Sequence, residues 1–247
     1  MIRRNIGATG RENETKEPSP CLGRKDMKIA IDGPAGAGKS TIAKRLAAEY
    51  GYIYVDTGAM YRAMALYLIR CGISADDKPG IEKACEDADI SIKFIDGEQK
   101  VILNGEDVNG LIRTQEVSNM ASASSVNGKV REKLVSLQQK LASDTDVVMD
   151  GRDIGTKVLP DAEVKIYLTA STAVRAKRRY DELKQKGETC DLAVIEREIE
   201  ERDHRDMTRE ISPLKQADDA VLVDTSDLGI EEVVKEISKI ISGKTGA

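Results

Sequence analysis

The 247 residues, 40% hydrophobic and 33% charged, are enough to bury a substantial core as one domain with an insertion or a lid, and too few for two large independent domains. A net charge of −5, no Trp and a single Phe (Phe94) argue against a polyanion-binding surface and against base-stacking platforms, so nucleic acid is not an expected partner. Cys21, Cys71, Cys85 and Cys190 are scattered and His204 is the sole histidine, which excludes an obvious zinc site or disulfide framework and suits a reducing cytoplasm; no apolar run approaches the roughly 18 residues of a membrane span.

Met1 to Asp26 is polar, carries Arg3, Arg4 and Arg11, and lacks the hydrophobic stretch of a signal peptide. It is expected to be a disordered extension, with Met27 as the native start. A short apolar strand then runs from Ile29 to Ile31 and ends in Gly33, Pro34, Ala35, Gly36, Ala37 and Gly38, before Lys39, Ser40 and Thr41 open a helix. This is a phosphate-binding loop. Glycines let backbone N–H groups close around phosphate oxygens, Lys39 reaches the β- and γ-phosphates, and the Ser40 hydroxyl can ligate Mg²⁺. The helix adds the partial positive charge of its N-terminus.

The first helix is expected to stop near Gly51, and Tyr52 to Val55 reads as a second strand. Strand, helix and strand at this spacing imply a parallel sheet with helices on its faces. Asp56-Thr57-Gly58 caps the next helix, which places Thr57, Tyr61 and Arg62 at the carboxyl edge of the sheet, where ligands of such folds bind. A short helix from Lys78 to Ala88 is followed by alternating apolar residues and two turn signals, Asp96-Gly97 and Asn104-Gly105, which predict a small antiparallel meander. Such an insert is either an ornament or an accessory lobe that closes over a second substrate.

Ser118 to Ser143 is expected to be helical, and Asp146 to Asp150 a third buried strand whose terminal acid, Asp150, suits support of Mg²⁺. Gly151-Arg152-Asp153-Ile154-Gly155 follows as a charged turn at the same edge. Val164 to Leu168 and Ala220 to Val223 complete five strands, and Ile230 to Ile241 forms a closing amphipathic helix. Between the last two strands, Thr172 to Arg209 is dense in arginine. At 100° per residue, Arg202, Arg205, Asp206 and Arg209 share an arc of about 100°. Cations crowded on one face repel unless anions lie between them. His204 falls off that face and is taken as incidental. Two anionic substrates meeting at one edge describe phosphoryl transfer, in which positioning and charge neutralisation do the work and an ionised phosphate acceptor needs no base.

The loop Gly33 to Thr41, the stretch Asp56-Thr-Gly-Ala-Met-Tyr-Arg, Gly110-Leu-Ile-Arg-Thr-Gln-Glu-Val-Ser, Asp150-Gly-Arg-Asp-Ile-Gly-Thr and Glu201-Arg-Asp-His-Arg-Asp-Met-Thr-Arg together resemble bacterial cytidylate kinases, from Met27 to about Ile241. The resemblance implies an α/β fold: a five-stranded parallel P-loop sheet with helices on both faces, an antiparallel β insert in the acceptor-binding lobe, and a helical lid. The core would comprise 27–56, 144–171 and 210–247, the acceptor lobe 57–143 and the lid 172–209. It implies ATP-dependent phosphorylation of CMP and dCMP with Mg²⁺, by a cytoplasmic monomer. Thr57, Ser122, Arg131 and Asp153 would surround the cytosine, and Arg62, Arg152 and Arg209 would lie near its phosphate or base edge, with Tyr61 also counted among the substrate-binding residues. Arg202 and Asp206 would face the ribose, and Arg175, Arg178 and Arg179 the donor phosphates. Lys39, Arg152, Arg178 and Arg209 are the expected catalytic charges, and Ser40 and Asp150 the metal ligands. Cytosine selectivity rests on the resemblance alone, so kinases acting on UMP, AMP or shikimate stay open. A slowly hydrolysing nucleotide switch also stays open, although no Asn-Lys-x-Asp motif is present.

Overall fold

A computed structural model describes residues 26–95 and 98–245. The expected disordered extension and the Asp96-Gly97 turn therefore lie outside the described residues, apart from Asp26.

Strand β1 (Lys28–Asp32) is the centre of the molecule. It is flanked by β6 (Val147–Gly151) and β7 (Val164–Thr169), with β2 (Ile53–Asp56) and β8 (Val221–Asp224) at the edges, in the order β2-β6-β1-β7-β8. All four pairings are parallel. A parallel sheet must be covered on both faces, because its crossovers place helices there. Side chains of β1 accordingly alternate between two cores. Ile29 and Ile31 pack with α1 (Lys39–Tyr50) and α8 (Ile230–Thr245), whereas Ala30 points to the opposite face, with α2 (Thr57–Arg70) and α3 (Lys78–Asp87). Residues Ile29, Ile31, Val148, Val164 and Leu168 are fully buried.

The meander forms as β3 (Ile90–Ile95), β4 (Glu98–Leu103) and the short β5 (Glu106–Asp107), a separate antiparallel sheet. It is tied to the parallel sheet at one point of interest. The Gln99 side-chain amide accepts from the Asp56 backbone N–H at 2.8 Å and donates to the Asp56 carbonyl at 3.2 Å, as a neighbouring strand would.

One expected element is divided. Ser118 to Ser143 is two helices, α4 (Gln115–Ser124) and α5 (Gly128–Leu141). The Asn127 carboxamide accepts from the N–H groups of Lys129 and Val130, so a fresh N-cap competes with helix continuation; Thr114 caps α4 in the same way and starts it earlier than its apolar pattern suggests. The break matters for geometry, since Ser122 and Arg131 then approach the sheet edge from different helices. The arginine-rich segment forms α6 (Thr172–Gln185) and α7 (Leu192–Thr208), which pack against each other. Among the described residues, no helix is long and apolar enough to cross a membrane.

Candidate active site

The loop after β1 depends on two close approaches. Gly33 has φ +147°, and a Cβ there would lie 1.9 Å from the Leu168 carbonyl oxygen on β7. Gly36 has φ +77°, and its missing Cβ would sit 3.3 Å from Cβ of Arg175. Gly38, in the left-handed region, precedes α1 with no side-chain cap, so the first N–H groups of that helix are left to a ligand. Lys39 is buried and donates to the Pro34 carbonyl at 2.7 Å. Burial first, then the charge of Arg152, hold its pKa well below the ordinary lysine value.

Asp150, at the end of β6, accepts from Ser40 Oγ and Tyr54 OH, both at 2.9 Å. Burial, reinforced by Asp56 and opposed by Lys39, pushes its carboxyl up to about 6. A hydroxyl and a carboxylate at the mouth of a phosphate loop are hard oxygen donors of the kind Mg²⁺ accepts, with phosphates and water supplying the rest.

Beyond the loop lies a cavity of about 260 Å³ at the carboxyl edge of the sheet. All ten side chains expected on the acceptor side line it: Thr57, Tyr61, Arg62, Ser122, Arg131, Arg152, Asp153, Arg202, Asp206 and Arg209. Thr57 Oγ1 donates to the Asp150 carbonyl at 2.7 Å. Arg62 donates to Asp56 at 3.1 Å, and Arg113 reaches the same oxygen at 3.5 Å. Arg131 pairs with Asp153 through a buried charge-assisted bond and lies over the Tyr61 ring, 5.6 Å from its centroid. Arg152 Nε donates to Asp206 at 2.9 Å. Burial would raise the Asp206 carboxyl, but Arg152, helped by Arg202 and Arg209, brings it below its usual range. Burial and the charge of Arg152 hold Arg202 down to about 10.

The expected helix face is altered. Arg202 and Asp206 project from α7 into the cavity, but Arg209 enters from the helix cap, where φ −61° and ψ 141° are extended, and Arg205 stays exposed. The rotation of α7 is set by Asp203, which is buried against Arg175 at 2.6 Å and turns Arg205 outward. His204 is exposed.

The three lid arginines lie outside the cavity. Arg178 donates to the Thr225 carbonyl at 2.7 Å and to its hydroxyl at 3.2 Å, and that hydroxyl donates to the loop carbonyl of Ala37 at 3.3 Å. Arg179 pairs with Glu182 at 2.9 Å on the helix surface. Arg175 is buried among protein acceptors.

Three groups beside the site carry no role in the sequence reading, Asp32, Tyr54 and Asp203, and Asp56 has there only that of a helix cap and motif residue. An acid closing an apolar strand is the signal that could have found Asp32 and Asp56. Asp32 accepts from the N–H groups of Ile154 and Gly155 at 2.8 and 2.7 Å, which latches the Arg152-Asp153 turn to β1. Burial, against those two bonds, pushes its carboxyl from the ordinary 3.8 up to about 6. A carboxyl raised in the folded state contributes stability that is full below about pH 4 and lost as pH rises through 6. An Asn makes no such loss. The stability advantage of the native chain over Asp32→Asn is therefore expected to be about 1 kcal/mol larger at pH 5 than at pH 7. Urea unfolding at both pH values measures it, and an equal gap would refute it.

A parallel sheet with a phosphate loop after its central strand, facing a cation-rich cavity at its carboxyl edge, defines a P-loop kinase. Residues 29–243 match the family model described as "Cytidylate kinase". The chain is 53% identical to "Cytidylate kinase" of Caldicellulosiruptor bescii over 87% of its own length and 96% of that protein, and 53% identical to "Cytidylate kinase" of Lactobacillus johnsonii over 88% and 95%. It belongs to the cytidylate kinase family. Among solved structures, shikimate kinase from Bacteroides thetaiotaomicron aligns over 87% of this chain and 98% of its own, at 12% identity and a TM-score of 0.47, a likeness too distant to add to the sheet order.

Proposed function

We propose that this enzyme transfers the γ-phosphoryl group of ATP to CMP and dCMP. One observation carries the reading. Among the described residues, Tyr61 OH, Arg62 Nε, Ser122 Oγ, Arg131 Nε, Arg202 Nε and Arg209 Nη2 are buried without a hydrogen-bond partner and belong to residues lining the cavity beside Lys39, whereas Gln138 Nε2 and Asp203 Oδ1 are unpartnered away from it. Buried polar groups left unpaired are costly, so their gathering at one place marks a ligand that would satisfy them. The set suits a nucleoside monophosphate. Guanidinium N–H groups match phosphate oxygens, while the Ser122 hydroxyl and the Arg131–Asp153 pair offer both donors and acceptors to a base edge.

In this reading 27–56, 144–171 and 210–247 form the core, 57–143 the acceptor lobe and 172–209 the lid. ATP phosphates lie in the 33–41 loop with Arg178 and Arg179 on the lid side. Ser40 and Asp150 would hold Mg²⁺, which when bound neutralises charge on the donor phosphates. Lys39, Arg152 and Arg209 stabilise charge on the transferring group from this chain's own side. The acceptor phosphate is already ionised, so no general base is required. The lining of the cavity comes from this chain, and the reading takes the enzyme as a monomer acting on small molecules in the cytoplasm.

Turnover with CMP, dCMP, UMP and AMP in one coupled assay tests the proposal. Preference for AMP would sink it, and ATP turnover independent of any monophosphate would favour a nucleotide switch. Asp206→Ala tests the sugar side. Only CMP offers a 2′-hydroxyl, so kcat/KM is expected to fall about tenfold further for CMP than for dCMP, the worth of one bond to a charged acceptor. Equal losses would count against Asp206 as a sugar reader.

A further inference from the structure

Arg175 sits in the first turn of α6, 4% exposed, with no face toward the cavity. Its Nε donates to the Ala170 carbonyl at 2.9 Å, Nη1 to the Ala35 carbonyl at 3.1 Å, and Nη2 to Thr172 Oγ1 at 3.1 Å and Asp203 Oδ2 at 2.6 Å. Four of the five N–H groups of a guanidinium are thus used within the protein. Ala35 belongs to the phosphate loop, and the side-chain stem packs where a Cβ on Gly36 would project. Asp203 lies on α7 beside Arg202, one turn before Asp206, whose carboxylate holds Arg152. A continuous chain of contacts therefore runs from the donor loop through Arg175 and Asp203 to the helix that carries the acceptor-side charges.

We infer that Arg175 and Asp203 are a positioning pair that fixes the phosphate loop against α7, and that Arg175 is not a ligand of the donor phosphates. The inference rests on the proposed use of the loop for ATP, and it makes a distinctive demand. Asp203 is an acid, and an acid near the donor can only repel phosphate directly. If it nonetheless supports ATP binding, it does so by holding Arg175 and, through it, the Ala35 carbonyl. The fork of the guanidinium is required for this, because an ammonium cannot reach acceptors on the loop, on α6 and on α7 together.

The test uses the full chain as wild type, Asp203→Asn, Arg175→Lys and the double variant. ATP affinity is measured by calorimetry without an acceptor, and amide exchange is followed in peptides covering the loop and β4. Each single variant is expected to weaken ATP about tenfold and to raise exchange in residues 33–38 while β4 is unchanged. The double variant is expected to lie within about twofold of the worse single one, since the two act as a unit. The inference is overturned if Asp203→Asn keeps wild-type affinity and loop exchange while Arg175→Lys weakens ATP, which is the signature of a direct phosphate contact. It is equally overturned if Arg175→Lys behaves as wild type, since a point charge would then suffice. Should Asp203→Asn fail to fold, Arg175→Lys retains a cation for the buried acid and decides the matter by the same two readouts. Failure of wild type to bind ATP would refute the nucleotide reading, and loop exchange in the variants would still judge the pair.

Discussion

Lys39→Ala is expected to lower kcat by about three orders of magnitude while leaving the protein folded and no less stable. The loss follows from position: Lys39 is buried at the start of α1, in the loop proposed to hold the donor phosphates, and removal of one charge-stabilising group from such a site costs about 10²–10³ or more. The retained stability follows from the same burial. Burial and the neighbouring Arg152 disfavour the charged amine in the folded state, so it strains the fold until an anion arrives. Removing it relieves that strain at the cost of one bond to the Pro34 carbonyl and of its attraction for Asp150 and Asp32, which burial partly offsets by favouring their neutral forms. A coupled assay and a thermal melt check the two halves separately. Turnover within tenfold of wild type would contradict the role of Lys39, and a large fall in Tm would contradict the account of its burial.

Gly33→Ala is expected to lower Tm by about 10 °C and to abolish ATP binding. The added Cβ would meet the Leu168 carbonyl oxygen at 1.9 Å, and both backbones are held by the central sheet: β1 pairs with β7 from Ile29 to Asp32. Neither strand can move away without breaking the ladder, so the loop must rebuild; a clash of this kind belongs to the class of substitutions that cost about 4 kcal/mol, or roughly 10 °C in a chain of this size. Gly51→Ala is the matched control. Gly51 also has positive φ, at +71°, but nothing lies within 4 Å of its missing Cβ, so only the left-handed strain of about 1 kcal/mol is expected. If the two variants melted together, the contact with Leu168 would not be the reason for a glycine at 33.

The strands were legible because each is a short apolar run closed by a turn or an acid, and the sequence of strands and helices admits little but a parallel sheet. The loop was legible because its glycines, lysine and serine follow one another in the chain. The acceptor-side residues came from motifs at fixed order, and the fold gathers all ten around one cavity. What failed to show was of a different kind. Asn127 reads as an ordinary polar residue in a helical stretch until its carboxamide is seen capping α5. Arg175 reads as one more cation of a lid, because its partners Ala35 and Asp203 lie 140 and 28 residues away.

The amino-acid sequence by itself determined the parallel sheet and the phosphate loop, which rest on local spacing and on the order of elements, while the family resemblance supplied the ten residues that the fold gathers around one cavity. The tertiary structure alone decided which charges face one another. It turned Asp203 and Asp206 inward and Arg205 outward, bound Asp32 to the Arg152-Asp153 turn, and set Arg175 against the loop. A buried charge is placed by the partner that offsets its desolvation, and that partner is chosen by the packing of distant helices.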